Sequence, residues 1–375
     1  MDVELGARAR LSVAIVAPSL AILGGQAVQA RRLLDAWTND RDVNAWLVPI
    51  NPEGPRWLRP ALQIKYLRTL LTQLMYLPLL ARELRRADVV HVFSASYFSF
   101  LLAPLPAVVI ARLLGRPVLM NYRSGEAPDH LRRSRVARTA LRAVDVNVVP
   151  SRFLQEVFAA HEIPSRVIPN IIDRDRFRFR ERDPLRPRLV STRNFEPLYN
   201  VACTLRAFAR VQQRFPDAVL TLVGAGSQEA ALRALTVELK LRNVTFAGRV
   251  APEEIWRYYA DADIYVQTPD IDNMPSSILE AYSSGLPVVS TEAGGVPAML
   301  TDGVHGLLAP VGNDERVAGN VCRLLEDAEL VRQIVRAGAE VAGALVWTRV
   351  RDQWVAVYRG LIDGRLAEAP AVRPI

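Results

Sequence analysis

Short runs rich in β-branched residues alternate along the chain with longer stretches of helical periodicity. The first half contains LSVAIVA, NAWLVPI, ADVVHVF, RPVLMNY and DVNVVPS, and the second half contains RLVSTRN, AVLTLVG, NVTFAG, ADIYVQT and LPVVST. Gln26 to Trp37 and Ser134 to Ala143 are two of the helical stretches between these runs. Such alternation predicts parallel sheets with helices on both faces. Two sets of strands predict an α/β protein with two doubly wound Rossmann-like domains that face each other across a ligand-binding cleft.

The length of the chain also favours two domains. Its 375 residues exceed the size at which a single hydrophobic core usually stops growing. We predict an N-terminal domain over residues 1–165, a linker over 166–188, a C-terminal domain over 189–345 and a C-terminal helix within 346–375. The linker is dense in charge and proline, and we expect it to add little to either core. The helix is amphipathic and is expected to return toward the N-terminal domain; its apolar positions are Val350, Trp354, Val357, Tyr358 and Leu361.

The composition argues against several classes of protein. Half of the residues are apolar and 23% are charged, which is typical of a globular protein. The only two cysteines, Cys203 and Cys322, lie far apart, so neither a disulfide framework nor a zinc site is expected, and a cytoplasmic location is favoured. The segment LSVAIVAPSLAILGGQAVQA is interpreted as a buried strand and loop, not a signal peptide, because acids precede it and Pro18 interrupts it.

The formal net charge of +8 is concentrated in the first half of the chain. Residues 1–165 contain 21 Lys and Arg against 13 Asp and Glu, which leaves 26 against 26 for residues 166–375. Leu58 to Arg86 mixes bulky apolar residues with arginines at helical spacing, interrupted by Pro78, and such a helix either packs into its own domain or lies in a bilayer interface. Further arginines follow at Arg132, Arg133, Arg135, Arg138 and Arg142. We therefore expect this half to contact an anionic partner, with a peripheral position at the inner face of a membrane favoured over nucleic acid.

The segment DNMPSSILEAYSSGLPVVSTEAGGVP, Asp272 to Pro297, carries the strongest functional signal. Pro275 suits the first turn of a helix over Ser276 to Ser284. The amides at such a helix start lie at the positive end of the helix dipole and bind phosphate readily. Glu280 is placed one turn further on to accept hydrogen bonds from a ribose diol, and Asp272 to accept them from a sugar beyond the phosphates. Alternatively, Asp272 caps the helix or its loop and Glu280 is a solvated helix residue.

These residues resemble the acid-x7-acid signature of family 4 of the retaining nucleotide-sugar glycosyltransferases, which have the GT-B fold. The matching segments are Asp272-Asn273-Met274-Pro275, Leu279-Glu280-Ala281, Gly285 to Val289 and Gly294 to Pro297. The family usually has Glu at the first acidic position, so the side chain of Asp272 is one methylene shorter. The resemblance continues, in family order, through Gly24-Gly25, Pro169-Asn170 with Asp173 and Phe177, Leu222 to Gly226, Asn243 to Gly248, and Tyr258 to Val266.

The resemblance implies a hexosyltransferase that moves a sugar, with retention at the anomeric carbon, from a UDP or GDP type of nucleotide sugar to a hydroxyl of a glycan or lipid-linked acceptor. Cell-surface polysaccharide or glycolipid synthesis would be its setting. It implies no cofactor and no metal, so Asp270-Ile271-Asp272 is not expected to bind one. The donor-binding candidates in the C-terminal domain and the first glycine loop are Gly24, Gly25, Arg193, Tyr199, Gly224, Gly248, Arg249, Val250, Asn273, Met274, Pro275, Ser276 and Glu280. The catalytic candidates are Asp272, Glu280, Arg193 and Arg123, and the acceptor-side candidates in the N-terminal domain are His91, Arg123 and Glu126.

Two positions depart from the family pattern. Tyr199 stands where a lysine that neutralises the diphosphate is common, and Arg123 stands where a histidine is common. Arginine stays protonated and cannot act as a general base, but it can hold a phosphate or carboxylate. We hypothesise that Arg123 supplies some of the charge lost at Tyr199. The alternative is that Arg123 is a structural partner of Glu126 or of another acid. His91, at the end of a predicted strand, is either packed or directed toward the acceptor.

Two other functions are compatible with these departures. One is a non-catalytic nucleotide-sugar-binding subunit that regulates an active partner, and the other is a sugar-nucleotide epimerase. A dinucleotide site is disfavoured because Gly224-Ala225-Gly226-Ser227-Gln228-Glu229 lacks the third glycine of the fingerprint.

Overall fold

The computed structural model of the protein describes residues 10–19, 24–55, 57, 64–94 and 96–365. These residues separate into two compact units. The first unit contains residues 10–150, 154–169 and 350–365, and the second contains residues 151–153 and 170–349.

The first unit is built on a six-stranded parallel sheet in the order β2-β1-β3-β4-β5-β6. Its strands are β1 (Leu11–Ala17), β2 (Val43–Pro49), β3 (Val89–Ser94), β4 (Val118–Tyr122), β5 (Val146–Val149) and β6 (Arg166–Val167). The helices between them are α1 (Gly25–Ala36), α2 (Lys65–Leu84), α3 (Tyr97–Leu102), α4 (Pro104–Leu113), α5 (Ala127–Arg133), α6 (Arg135–Ala143) and α7 (Arg152–Ala159). Every residue of β3, β4 and β5 is buried, as expected for parallel strands covered on both faces.

The second unit contains another six-stranded parallel sheet, in the order β12-β11-β10-β7-β8-β9. Its strands are β7 (Arg188–Ser191), β8 (Val219–Val223), β9 (Val244–Gly248), β10 (Ile264–Val266), β11 (Val288–Thr291) and β12 (Leu307–Ala309). Its helices are α8 (Val201–Arg214), α9 (Glu229–Glu238), α10 (Trp256–Asp261), α11 (Ser276–Ser283), α12 (Asp314–Glu326) and α13 (Ala328–Ala344), and α14 (Trp347–Ile362) follows. The prediction of two doubly wound α/β domains is confirmed.

Alternate residues of the second sheet pack into two different cores. Leu189 and Ile264 lie in the core on one face, with Phe208 of α8. Val190 and Tyr265, their neighbours in sequence, lie in the core on the other face. Successive strand residues point to opposite faces, so both layers of helices are held by the same short strands.

The segment that precedes β7 corrects one expectation. Residues 166–188 were expected to add little to either core, yet Ile172 and Phe177 are buried in the core that contains Tyr265. The guanidinium of Arg182 is also buried, and it donates to the carbonyl oxygens of Tyr259 at 2.9 Å and Ala262 at 2.7 Å. Charge density misled the prediction because this arginine satisfies backbone carbonyls in the interior, as buried charged groups must.

The helix expected around Leu58 to Arg86 is observed as α2, whereas residues 58–63 lie outside the described residues. The expected interruption at Pro78 is wrong, because α2 continues through this residue. A proline within a helix removes only its own N–H donor and strains the preceding turn. No helix within the described residues is long and apolar enough to span a bilayer.

Helix α14 packs into the first unit from Val350 onward, and all five of its predicted apolar positions are buried. An ion-pair cluster ties it to the start of β2. Arg351 donates to Asp40 Oδ2 at 2.6 Å and also to Asp42, which accepts from Arg359 as well. The Arg351 hydrogen bond lowers the pKa of Asp42. Burial acts to raise the pKa of Asp40, but Arg351 together with the backbone amides of Asp42 and Val43 lowers it.

We predict that Arg351→Met destabilises the first unit by about 1–2 kcal/mol at neutral pH, because two partly buried carboxylates lose a charged donor. Carboxylates whose pKa is lowered by folding stabilise the protein above their ordinary pKa of 3.8, and that contribution disappears as the pH falls through the lower folded value. The difference in the free energy of unfolding between wild type and variant should therefore become smaller at acidic pH. Denaturant titrations at several pH values measure it, with exposed Arg349→Met on the same helix as the control; equal effects of the two changes would contradict the prediction.

Candidate functional site

The carboxyl ends of β7 and β10 lie side by side in the middle of the second sheet. From β7 the chain proceeds outward to β8 and β9, and from β10 it proceeds outward to β11 and β12 on the other side. The two strands therefore flank the point at which the strand order reverses, where doubly wound sheets bind their ligands. Arg193 follows β7, and Asp272 lies in the segment after β10.

The guanidinium of Arg193 brings several of the predicted residues together. Its Nη2 donates to Asp272 Oδ2 at 2.6 Å, and its Nη1 donates to Ser277 Oγ, in the first turn of α11, at 3.2 Å. The ring of Tyr199 covers the guanidinium, with 4.0 Å between Cζ and the ring centroid. Arg193, Asp272, Tyr199 and the start of α11 therefore form one cluster.

The ion pair at the centre of this cluster is almost shielded from water. The side chains of Arg193 and Asp272 are 10% and 13% exposed. Burial alone favours loss of the arginine charge, but the Coulomb attraction of Asp272, followed by that of the neighbouring tyrosines, raises the pKa of Arg193 above its ordinary value. The arginine is a permanent cation held at a fixed position.

Helix α11 begins at Ser276, as the sequence indicates, with Pro275 at its N-cap position and no side chain capping it. Glu280, one turn into the helix, is only 6% exposed, so it is not a solvated helix residue. Its Oε2 accepts a hydrogen bond of 2.7 Å from the hydroxyl of Tyr259 on α10. Asp272 accepts from the amide of Asn273 at 2.9 Å, which orients its second oxygen.

A chain of buried and partly buried hydrogen bonds extends between the two acids. The hydroxyls of Thr192 and Tyr259 are 2.6 Å apart, and Thr192 also lies 3.5 Å from the hydroxyl of Tyr265. Tyr265 and Ser277 both donate to Gln267 Oε1, at 3.2 and 3.1 Å. Because Arg193 donates to Ser277, the loop after β7 and the start of α11 share one network.

Glycines of the neighbouring strands support both loops. A Cβ on Gly224, after β8, would lie 2.2 Å from the carbonyl oxygen of Arg193. A Cβ on Gly294, after β11, would lie 2.2 Å from the carbonyl oxygen of Asp272, and one on Gly295 would lie 2.5 Å from that of Asn273. Real Cβ atoms do not approach oxygen so closely, so each glycine permits a backbone contact that fixes the loop beside it.

The other donor-side candidates lie around this cluster. Gly224 donates its amide to the carbonyl of Gly248 at 3.0 Å, Arg249 is exposed and Val250 is half-buried. Asn273 is buried and accepts from Ser151 Oγ, and the carbonyl of Met274 accepts from Asn170 Nδ2 at 2.8 Å. Ser276 is the first residue of α11. Asn170, of the Pro169-Asn170 pair, therefore directly supports the loop that contains Asp272 to Pro275.

The remaining candidates lie in the first unit. Gly24 is the N-cap residue of α1 and Gly25 its first residue, and a Cβ on either would meet no atom of the described residues within 4 Å. Glu126 precedes α5 at its N-cap position, and burial followed by the charge of Asp129 raises its pKa. Arg123 forms no ion pair with Glu126 or with any other described residue, so the alternative of a structural partnership with Glu126 is not observed.

His91 and Arg123 are joined by a buried chain. Arg123 Nη1 donates to Asn121 Oδ1 at 3.2 Å, Asn121 Nδ2 lies 2.9 Å from His91 Nε2, and His91 Nδ1 lies 2.8 Å from the hydroxyl of Tyr358 on α14. Burial and the charge of Arg123 lower the pKa of His91 to about 3, so its imidazole is neutral. His91 is fully buried and is not directed toward solvent. Burial lowers the pKa of Arg123 to about 9, and its Nη2 has no hydrogen-bond partner among the described residues.

Sequence reasoning missed the buried polar residues behind the acids. Tyr259 and Gln267 are fully buried and Thr192 is half-buried, and the three residues lie apart in the sequence. Only the resemblance of Tyr258 to Val266 to a family segment pointed to the region of Tyr259 and Gln267. Within the described residues, no group of three or more His, Cys, Asp and Glu side chains gathers in a metal-binding arrangement. The prediction of metal independence stays a prediction.

Two family models match consecutive parts of the chain. "Glycosyltransferase Family 4" matches residues 23–176, and "Glycosyl transferases group 1" matches residues 173–341. Together they include Arg193, the signature acids and the glycine loops of both units.

Curated relatives carry names of the same kind. The chain is 26% identical over 297 residues to the sulfoquinovosyl transferase SQD2 of Arabidopsis thaliana, a match that covers 72% of this chain and 56% of the relative. It is 28% identical over 253 residues to a GDP-mannose-dependent alpha-(1-6)-phosphatidylinositol monomannoside mannosyltransferase of Mycobacterium tuberculosis, covering 61% of this chain and 64% of the relative. The chain thus spans between about half and two thirds of the length of these relatives.

Among solved structures, HepE of Anabaena in complex with UDP and glucose superimposes with a TM-score of 0.73. The superposition covers 94% of this chain and 100% of HepE, at 18% sequence identity. This likeness supports the fold.

We predict that Gly295→Ala destabilises the second unit by about 2 kcal/mol, since the added Cβ overpacks against the carbonyl of Asn273. Its unfolding midpoint should fall by roughly 4–8 °C. Gly319→Ala is the control, because this exposed helical glycine has no atom within 4 Å of an added Cβ and should gain up to about 1 kcal/mol. Calorimetry compares the two; an unchanged midpoint for Gly295→Ala would show that the backbone contact is not tight.

Proposed function

Because the chain belongs to glycosyltransferase family 4 and has the GT-B fold, we propose that it transfers a sugar from a nucleoside-diphosphate sugar to a hydroxyl of a glycan or lipid-linked acceptor. The donor is of the UDP or GDP type, and the anomeric configuration is retained. The observation that carries this proposal is the buried cluster of Arg193, Asp272 and the start of α11, with Glu280 one turn away. Asp272 suits the hydroxyls of a sugar, Arg193 and the start of α11 suit a diphosphate, and Glu280 suits a ribose.

In the proposed mechanism, Arg193 and the amides at the start of α11 hold the diphosphate. Negative charge grows on the diphosphate as the glycosidic bond breaks, and a fixed guanidinium in a site of low dielectric stabilises that charge. Glu280 holds the ribose, and Asp272 holds hydroxyls of the transferred sugar. On the basis of the family resemblance, the proposed reaction requires no metal ion.

The ion pair between Arg193 and Asp272 links sugar binding to diphosphate binding. Arg193 donates one N–H to Asp272 and one to Ser277, and its Nε has no hydrogen-bond partner among the described residues. A diphosphate therefore accepts from the remaining N–H groups, and its charge weakens the attraction between Arg193 and Asp272. The hydroxyls of the sugar then supply further donors to Asp272. Family membership supports this division of roles and supports retention.

We propose that the first unit binds the acceptor through Arg123. A buried guanidinium with an unsatisfied Nη2 is costly unless an anion pairs with it. The chain through Asn121 and His91 holds the guanidinium in place, so His91 positions Arg123 and does not itself contact the acceptor. A phosphate of a lipid-linked acceptor fits this chemistry.

We further propose that the first unit lies peripherally on the inner face of an anionic membrane, as expected for glycolipid or cell-surface polysaccharide synthesis. Helix α2 exposes Tyr66, Leu70, Leu74 and Leu77. Helix α4 packs beside it and exposes Leu113, and an apolar groove of about 590 Å³ with arginines at its rim runs between α4 and α6. An apolar surface bordered by arginines suits the interface of an anionic bilayer, because the apolar side chains enter the acyl boundary and the guanidiniums meet phosphates.

We predict that Glu280→Gln lowers kcat/KM for the nucleotide sugar by about 100-fold, because an amide cannot replace a buried carboxylate that accepts from a diol. Exposed Glu238→Gln, at the end of α9, is the matched control. The assay follows release of nucleoside diphosphate from a panel of nucleotide sugars, with chelator present throughout. Binding without turnover for every acceptor would favour the non-catalytic subunit, and interconversion of donors without acceptor would favour the epimerase.

We predict that the protein binds vesicles containing an anionic lipid, more weakly at high salt, and that the double change Leu70→Glu with Leu74→Glu lowers this binding at least about tenfold. Each glutamate would carry a charge into the acyl boundary and repel the anionic surface. Val237→Glu is the control, since this residue is 78% exposed in the second unit. Vesicle flotation measures binding; equal retention of the double variant and wild type would rule out α2 as the contact surface.

A further inference from the structure

Tyr259 is a buried residue behind the site that no ligand can touch. Its side chain is 0% exposed, and its hydroxyl donates to Glu280 Oε2 at 2.7 Å. The ring is fixed on two sides: it stacks on Tyr265 with 5.7 Å between centroids, and the ring of Phe177 meets it edge-on at 5.5 Å. Any effect of Tyr259 on a ligand is therefore indirect, and its hydroxyl contacts Glu280 and the hydroxyl of Thr192.

The hydrogen bonds around Tyr259 have a fixed direction. A phenol has one proton, and the bond to the carboxylate of Glu280 uses it. The hydroxyl of Thr192, 2.6 Å away, must then donate to the oxygen of Tyr259. Burial, reinforced by the charge of Glu280, raises the pKa of Tyr259 far above its ordinary value, so the phenol keeps its proton. The order of donation is Thr192 to Tyr259 to Glu280.

This relay connects two parts of the donor site. Thr192 precedes Arg193, whose guanidinium pairs with Asp272, while Glu280 lies on α11. The backbone of Tyr259 is held in turn by Arg182. The plane of the Glu280 carboxylate is therefore set by residues from the linker segment, the loop after β7 and α10 together.

We propose that Tyr259 is a positioning residue that fixes the Glu280 carboxylate for a ribose diol and so makes the protein select ribonucleotide donors over deoxyribonucleotide donors. This inference rests on the proposed function, because it requires that Glu280 binds ribose. A carboxylate of fixed orientation meets both hydroxyls of a diol at good geometry, and a site built for a hydroxyl rejects the analogue that lacks it. A rotating carboxylate would lose that discrimination while leaving the diphosphate contacts intact.

Calorimetric titration tests the inference with UDP and GDP, their 2′-deoxy and 3′-deoxy analogues, and inorganic pyrophosphate. For the wild type we expect at least about a tenfold preference for the tighter ribonucleotide over its deoxy analogue. Tyr259→Phe keeps the ring and removes only the hydroxyl, and it should reduce that preference to about twofold while pyrophosphate affinity stays within about twofold of wild type. In a Glu280→Gln background, Tyr259→Phe should have no further effect on the preference, since it acts through that carboxylate.

The matched control is Tyr282→Phe. Tyr282 is buried on the same helix as Glu280, and its hydroxyl has no hydrogen-bond partner among the described residues, so this variant should keep the full preference. Thr192→Val removes the donor to Tyr259 and should give an intermediate preference, which keeps the test available if Tyr259→Phe folds poorly. An undiminished preference in Tyr259→Phe, or in Thr192→Val where only that variant folds, overturns the inference.

The wild-type titrations separate this inference from the proposed function. Wild type that binds neither UDP nor GDP would overturn both. Wild type that binds one of them without distinguishing ribose from deoxyribose would overturn the inference alone and leave the transferase assignment standing.

Discussion

The buried ion pair between Arg193 and Asp272 is the interaction on which the second unit's site depends. Removing two charges from water costs several kcal/mol per ion, and the mutual attraction offsets that cost only when geometry and extra hydrogen bonds are good. Here the 2.6 Å contact is supplemented by Ser277 and by the face of Tyr199. A pair assembled from loops 79 residues apart keeps this geometry only if both loops are held rigidly.

Rigidity comes from the order of the strands. The loops that carry Arg193 and Asp272 follow the two central strands, and each is backed by glycines from the next strand outward. The backbone of Gly224 contacts the loop of Arg193, and the backbone of Gly294 contacts the loop of Asp272. Close glycine contacts therefore support the loops on both sides of the point at which the strand order reverses. Behind them, Phe177 and Arg182 of the linker segment hold α10 against α11. The linker segment therefore supports the helices that carry the candidate site.

Sequence reasoning reached the parts of this arrangement that have local signals. Strand composition predicted the two sheets, and the spacing of Asp272 and Glu280 around a helix start pointed to the candidate site because both belong to one short segment. The residues that hold the two acids in place could not be predicted from the sequence. Tyr259, for example, lies on a different helix from Glu280, and no sequence pattern indicates that its hydroxyl donates to that carboxylate. The charged linker was misread because Arg182 looks like a surface residue until its carbonyl partners are known. His91 was ambiguous because burial depends on α14, which lies 267 residues further along the chain.

The replacement of a lysine by Tyr199 has an electrostatic consequence. With Tyr199 stacked on Arg193, the site contains one cation paired with one acid, so the pair is neutral before any ligand arrives. A second cation would attract a diphosphate whether or not a sugar were attached. In the proposed site, a diphosphate weakens the attraction between Arg193 and Asp272, and sugar hydroxyls then supply hydrogen bonds to Asp272. Asp272 and the ring of Tyr199 over Arg193 thus make the intact nucleotide sugar a better match for the proposed site than the nucleoside diphosphate that is released.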